Sequence, residues 1–188
     1  GYKERAGGAA FAATIAGPLH WPDHATDEPL PMEDLGDGSY VFTFTKTAAG
    51  FYRIVLTLDG EGYAEEFVTY VNPNAADVAL SYIYHNVDER LDIDGLFVGH
   101  AGLMQSYKLQ TVDRYYNLRT AGGDAVEVFF AGPTELGAEV HDNDDGTYTV
   151  RYLPQVSGNY TMSVELCGTP VCIYSDTAPL VRQQQAPP

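Results

Sequence analysis

A segment near the start of this chain returns 115 positions later: AGGAAFAATIAGP (6–18) lies over AGGDAVEVFFAGP (121–133). Beyond the shared Gly-Pro the first copy carries seven more residues, and the offset becomes 108. It then holds through Asp37-Gly38-Ser39-Tyr40 over Asp145-Gly146-Thr147-Tyr148, Gly50-Phe51-Tyr52 over Gly158-Asn159-Tyr160, and Leu58-Asp59-Gly60 over Leu166-Cys167-Gly168. Self-similarity at a fixed period means repeated structural units, and a period near one hundred means small domains rather than solenoid turns. The chain reads as two units.

Alternation defines what each unit is made of. In the second copy Val126, Val128 and Phe130 share one strand face, Tyr148, Val150 and Tyr152 another, and Tyr160, Met162, Val164 and Leu166 a third. The first copy supplies Phe11, Ala13 and Ile15; Tyr40, Phe42 and Phe44; and Tyr52, Ile54, Leu56 and Leu58. Apolar residues with period two mark half-buried antiparallel strands, and no segment carries a clear helical period. Fourteen Tyr, nineteen Gly and eleven Pro suit strands punctuated by turns. The fold class is therefore all-β, a β-sandwich in each unit. Tyr52 and Tyr160 suit a tyrosine corner, with the ring in the core and the hydroxyl on nearby backbone.

The stretch DNDDG (142–146) raises a choice between a Ca²⁺ loop and a turn. It lacks the ligand spacing and terminal Glu of an EF-hand loop. Gly supplies positive φ and Asx side chains bond locally, so a metal-free turn is expected.

The net charge is −16, split as −7 before Pro73 and −9 from there on. Nucleic acid and anionic membrane surfaces both require a basic footprint, so neither is an expected partner. No segment reads as a transmembrane helix or a signal peptide.

Residues 95–133 (GLFVGHAGLMQSYKLQTVDRYYNLRTAGGDAVEVFFAGP) and 142–171 (DNDDGTYTVRYLPQVSGNYTMSVELCGTPV) together resemble the filamin-type immunoglobulin-like repeat. The resemblance rests on the Gly-Leu-x-x-Gly-x-Ala-Gly approach to the second strand and the Gly-Pro after the third. It rests also on the Asp-Gly-Thr-Tyr-x-Val-x-Tyr-x-Pro fifth strand and the Gly-x-Tyr opening the sixth. The variant RTAGGD (119–124) is similar to copies in surface proteins of algae and protists. The last strand departs from the cytoskeletal pattern, with CIYSDTAPL in place of a Gly-Ser-Pro-Phe-like segment. The resemblance covers 74 to about 180 well and 6–72 partially. With the repeat overlay it implies two tandem immunoglobulin-like sandwiches, an incomplete unit over 1–73 and a complete filamin-type unit over 74–180, and the closing RQQQAPP makes 181–188 read as a flexible tail. Such repeats are spacers, scaffolds and adhesion modules.

Several residues carry more specific expectations. Cys167 and Cys172 flank a short connection, where a disulfide could form across a hairpin in an oxidising compartment. Asn159-Tyr160-Thr161 is a glycosylation sequon, with Asn159 expected at an accessible strand entrance. His20 and His24 sit with Trp21 in the longer connection, read as a solvent loop because Pro22 opposes a helix. Trp21 is a candidate contact or sugar-stacking residue. Two Cys and scattered His do not make a zinc site, and no catalytic constellation or cofactor motif stands out.

In the overlay the first unit starts just before its third strand, so its first two strands are missing. Unpaired edges and an apolar groove beside Phe11, Phe42 and Ile54 are expected there. The function expected is non-enzymatic and extracellular: a filament or cell-surface array subunit that self-associates, by strand complementation between subunits, or an adhesion spacer contacting other surface proteins or glycans. Truncation of a longer array is the competing explanation of the gap. The alternative function is a cytosolic filamin-like scaffold whose third strand captures peptides, and a carbohydrate-binding module follows behind it.

Overall fold

The computed structural model describes residues 7–19, 26–62, 67–85 and 98–171, and these form strands and turns without a helix. The chain separates into two compact units, Gly1–Asn72 and Pro73–Pro188. In the first are β1 (Phe11–Ala16), β2 (Glu28–Leu30), β3 (Met32–Asp34), β4 (Tyr40–Phe42), β5 (Gly50–Leu58), β6 (Glu61–Gly62) and β7 (Phe67–Val71). In the second are β8 (Tyr82–His85), β9 (Gln105–Gln110), β10 (Val126–Ala131), β11 (Ala138–Asp142), β12 (Thr147–Tyr152), β13 (Thr161–Leu166) and β14 (Thr169–Pro170).

Unit 2 has two antiparallel sheets, β11-β12-β9-β8 and β10-β13-β14. Lettered in chain order these are D-E-B-A and C-F-G, the strand order of a constant-type immunoglobulin sandwich. Each sheet turns one set of alternate residues inward. Tyr107 and Leu109 from β9, Tyr148 and Val150 from β12, and Val164 and Leu166 from β13 meet Ile83 of β8 in one buried cluster. Burying a side chain of this size contributes about 2 kcal/mol relative to exposure.

Unit 1 repeats the C-F-G sheet. β1 pairs along β5 from Phe11↔Leu58 to Ala16↔Arg53, and β6 and β7 pair with successive stretches of β5. Among the described residues its other sheet is the hairpin β3–β4, from Met32↔Phe42 to Asp34↔Tyr40. The core is correspondingly small: Ile15, Tyr52 and Ile54, packed with Leu30, Phe42, Phe44 and Val71. The longer connection does not remain a loop throughout. Glu28–Leu30 forms β2, paired on the outer edge of β1 through Ala13↔Leu30 and Ile15↔Glu28.

The acidic turn is built identically in both units. Asp142 accepts from the amides of Gly123 and Asp144, and Asp145 from that of Thr147. In unit 1, Asp34 accepts from Gly8 and Gly36, and Asp37 from Ser39. These carboxylates fix backbone, as an Asx-type turn requires. A Cβ on Gly122 would lie 2.0 Å from an Asp142 oxygen, and one on Gly7 2.2 Å from an Asp34 oxygen. The Gly-Gly pair before the third strand thus makes room for the carboxylate.

The tyrosine corner forms in both units as well. The Tyr52 hydroxyl donates to the Ala48 carbonyl at 2.8 Å, and the Tyr160 hydroxyl to the Val156 carbonyl at 3.0 Å. A Cβ on Gly17 would sit 2.5 Å from the Tyr52 ring, and one on Gly132 2.3 Å from the Tyr160 ring. Gly50 and Gly158 press in turn on Pro18 and Pro133. Gly-Pro after one strand and Gly-x-Tyr before another are therefore one interlock.

Candidate interaction site

The open side of unit 1 is defined by what covers the same positions in unit 2. β9 runs along β12, with Leu109 opposite Tyr148 and Tyr107 opposite Val150. The overlay makes Tyr40 and Phe42 the counterparts of Tyr148 and Val150. Among the described residues β4 pairs with β3 alone, so no strand stands where β9 would. Burial follows. Tyr148, Val150, Val164 and Leu166 are buried, whereas Tyr40, Phe42, Leu56 and Leu58 are only half-buried. Phe67, on the rung with core residue Ile54, is 46% exposed. An apolar edge of this kind accepts a further strand or associates.

Three of the expected contact residues can be placed in this unit. Phe11 is half-buried against Tyr40, with ring centroids 4.6 Å apart. Phe42 packs on the core from the hairpin side. Ile54, expected beside an open groove, is instead 5% exposed and part of the core. Phe42 of β4 and Phe44 just beyond it pack against the cluster that contains Ile54.

Elsewhere the expectations fare unevenly. Cys167 is exposed and occupies the first position of a two-residue turn, between Leu166 and Thr169 of a cross-strand pair. Its φ of 51° and the 75° of Gly168 suit a tight hairpin turn. Cys167 thus stands in the turn itself, between the paired Leu166 and Thr169. Cys172 lies outside the described residues, as do His20, Trp21 and His24. Asn159 is exposed at the entrance to β13.

Two features escaped the sequence reading. Asp113, completely buried, accepts from the amides of Asn74, Tyr115 and Asn117 and from the Asn117 side chain, all at 2.8–2.9 Å. Burial opposes its ionisation, but these four donors outweigh that and hold the carboxyl below its ordinary value. The second is the outer face of β5 and β7. Phe51 and Tyr70 meet there at 4.8 Å, 55% and 39% exposed, beside Val68. Unit 2 has Asn159 and Thr161 at the positions of Phe51 and Arg53, so this apolar patch is particular to unit 1.

Burial also governs the tyrosines. With the Asp124 and Asp142 carboxylates nearby, it pushes the Tyr148 phenol up to about 12. It pushes Tyr107 up further, and the fully buried Tyr107 hydroxyl finds no hydrogen-bond partner among the described residues.

Strand order and tyrosine corner together define an immunoglobulin-like sandwich. Comparison with known proteins narrows this. Residues 95–172 match the Filamin/ABP280 repeat, and this part of the chain is a filamin-type repeat. Mouse filamin-C is 26% identical over 167 residues, which are 87% of this chain and 5% of filamin-C. Cattle E3 ubiquitin-protein ligase TRIM71 is 38% identical over 76 residues, 39% of this chain and 9% of that protein. The chain therefore spans a small fraction of these relatives' length. Invasin, a bacterial integrin-binding protein, shares the fold: TM-score 0.55 and 15% identity, covering 91% of this chain and 34% of invasin.

Proposed function

We propose that this chain is a non-catalytic building segment of a cell-surface or extracellular assembly, in which unit 1 is completed by strands from a neighbouring copy. One observation carries the reading. Among the described residues β4 is paired on one side only, beneath inward-facing residues left partly uncovered, while the equivalent β12 of unit 2 is paired on both sides. A strand laid antiparallel on β4, with apolar residues opposite Tyr40 and Phe42, would reproduce what β9 does for β12. Such a contact joins unlike surfaces and does not close on itself, so it builds open filaments. The likeness to a bacterial integrin-binding protein supports a surface setting, and the exposed Asn159 is available to a glycan.

Sedimentation of the full chain over a concentration series tests the reading. Association that grows with concentration and is lost in Phe42→Lys is the expected result. A chain that stays monomeric throughout, with unit 1 folded, would refute completion by a neighbour.

A second reading has its own support. The outer edge of β10 carries no strand among the described residues, and Phe129 beside it is 49% exposed. With the similarity to filamin-C this favours an intracellular scaffold that captures extended peptides.

A further inference from the structure

We propose that residues 27–31 are a built-in cover that closes the third-strand edge of unit 1 to added strands. In unit 2 the corresponding edge, β10, runs for six residues without proline. In unit 1 the edge of β1 is taken by β2, with Leu30, Pro29 and Glu28 opposite Ala13, Thr14 and Ile15. The same run continues through Pro31 into β3, which pairs with β4 of the other sheet. One extended segment thus reaches from the rim of one sheet to the other.

β2 combines three ways of ending a sheet. It is three residues long, it carries an acidic residue, and Pro29 has no amide to offer a further strand. A strand that pairs inward and refuses pairing outward is a terminator.

It is also fastened. Leu30 packs against the Ile15–Tyr52–Ile54 core. Lys46 Nζ donates to Glu28 Oε2 at 2.6 Å, and Arg53 Nη2 to Asp27 Oδ1 at 3.2 Å. Lys46 is itself steadied over the Tyr52 ring, 5.8 Å from its centroid. At the overlaid positions unit 2 has Pro154 and Thr161 in place of Lys46 and Arg53. Strand and cationic anchors are present together in one unit and absent together from the other.

Hydrogen exchange on the full chain tests this, with a fluorescent peptide of residues 26–32 as probe. In Lys46→Ala/Arg53→Ala, exchange over 27–31 and over 11–16 should rise together by about fivefold, the equivalent of two exposed ion pairs. Exchange over 126–131 should not change. The peptide should bind Asp27→Ala/Glu28→Ala, which retains Lys46 and Arg53 to pair with it, and not the unmodified chain, whose fastened tethered copy competes at an effective concentration on the order of millimolar. High salt screens the two exposed pairs in the unmodified chain and should raise exchange over 27–31 and 11–16 in the same way, which covers a variant that fails to fold. Faster exchange over 27–31 with β1 still protected would overturn the proposal. So would equal peptide binding by the unmodified chain and Asp27→Ala/Glu28→Ala.

Discussion

Unit 1 and unit 2 share their acidic turn, their tyrosine corner and their Gly-Pro interlock, yet only unit 2 has a large core. The shared parts are all local: each joins residues of strands C to F and their connections. The unshared part is what β8 and β9 bring, namely Ile83, Tyr107 and Leu109, which account for much of the unit 2 cluster. The lesson is that turn chemistry specifies strand pairing and register, whereas the depth of the core depends on how many strands close over it. Among the described residues unit 1 keeps the specification without that closure.

The largest expected effect breaks the comparison on the unit 2 side. Asp113 serves four donors, and Asp113→Asn cannot satisfy them all, since its amide nitrogen would face N–H groups. A loss of about 3 kcal/mol is expected in the denaturation of unit 2, with unit 1 unaffected. The same carboxylate gives a pH signature. Its folded pKa is depressed, so its stabilisation is present above the unfolded carboxylate value of about 4 and is lost as pH falls through the folded value. Urea midpoints for unit 2 should therefore fall steeply in acid, and less steeply in Asp113→Asn.

A middle-sized effect sharpens the comparison. The two tyrosine corners make the same bond in different surroundings: Tyr52 is buried, while Tyr160 is half-exposed and shares its hydroxyl with Thr134. Tyr52→Phe should cost about 1.5 kcal/mol and Tyr160→Phe about 0.5 kcal/mol, because water can replace the bond only where it reaches. Equal losses in thermal denaturation would mean that burial does not set the strength of the corner.

The smallest effect tests the closure itself. The Tyr107 hydroxyl is buried without a partner among the described residues, so Tyr107→Phe removes a desolvated group and none of the described bonds. Stability should stay within about 0.5 kcal/mol of the unmodified chain, or rise. A marked loss would mean that this hydroxyl has a partner in solution.

Much of this architecture was legible in the sequence because its signals are local. Asp37-Gly38 and Asp145-Gly146 announce turns through their own backbone chemistry, and the Tyr40 and Tyr148 strands alternate cleanly. β2 was not legible. Three residues with a central proline have no period, and the ion pairs beside them reach Lys46 and Arg53, which lie well downstream. Asp113 reads as one more acid on an acidic chain until Asn74, 39 residues away in sequence, comes to bond it. Ile54 was placed on the inward face correctly, but alternation says nothing about what will cover a face. Cys167 shows the reverse: the overlay with Asp59 already placed it on the Asx-Gly position of a turn, a signal stronger than its spacing from Cys172.

The Gly-Pro interlock bears on how these units can drift in sequence. Pro18 occupies the space a side chain at residue 50 would need, and the Tyr52 ring occupies the space at residue 17. Neither glycine can gain a side chain until the residue opposite has shrunk, and either first step leaves a gap in the joint. The four positions therefore form a single heritable character, alterable only through a weakened intermediate. Two copies of a duplicated unit can diverge freely across their faces and still carry this joint unaltered.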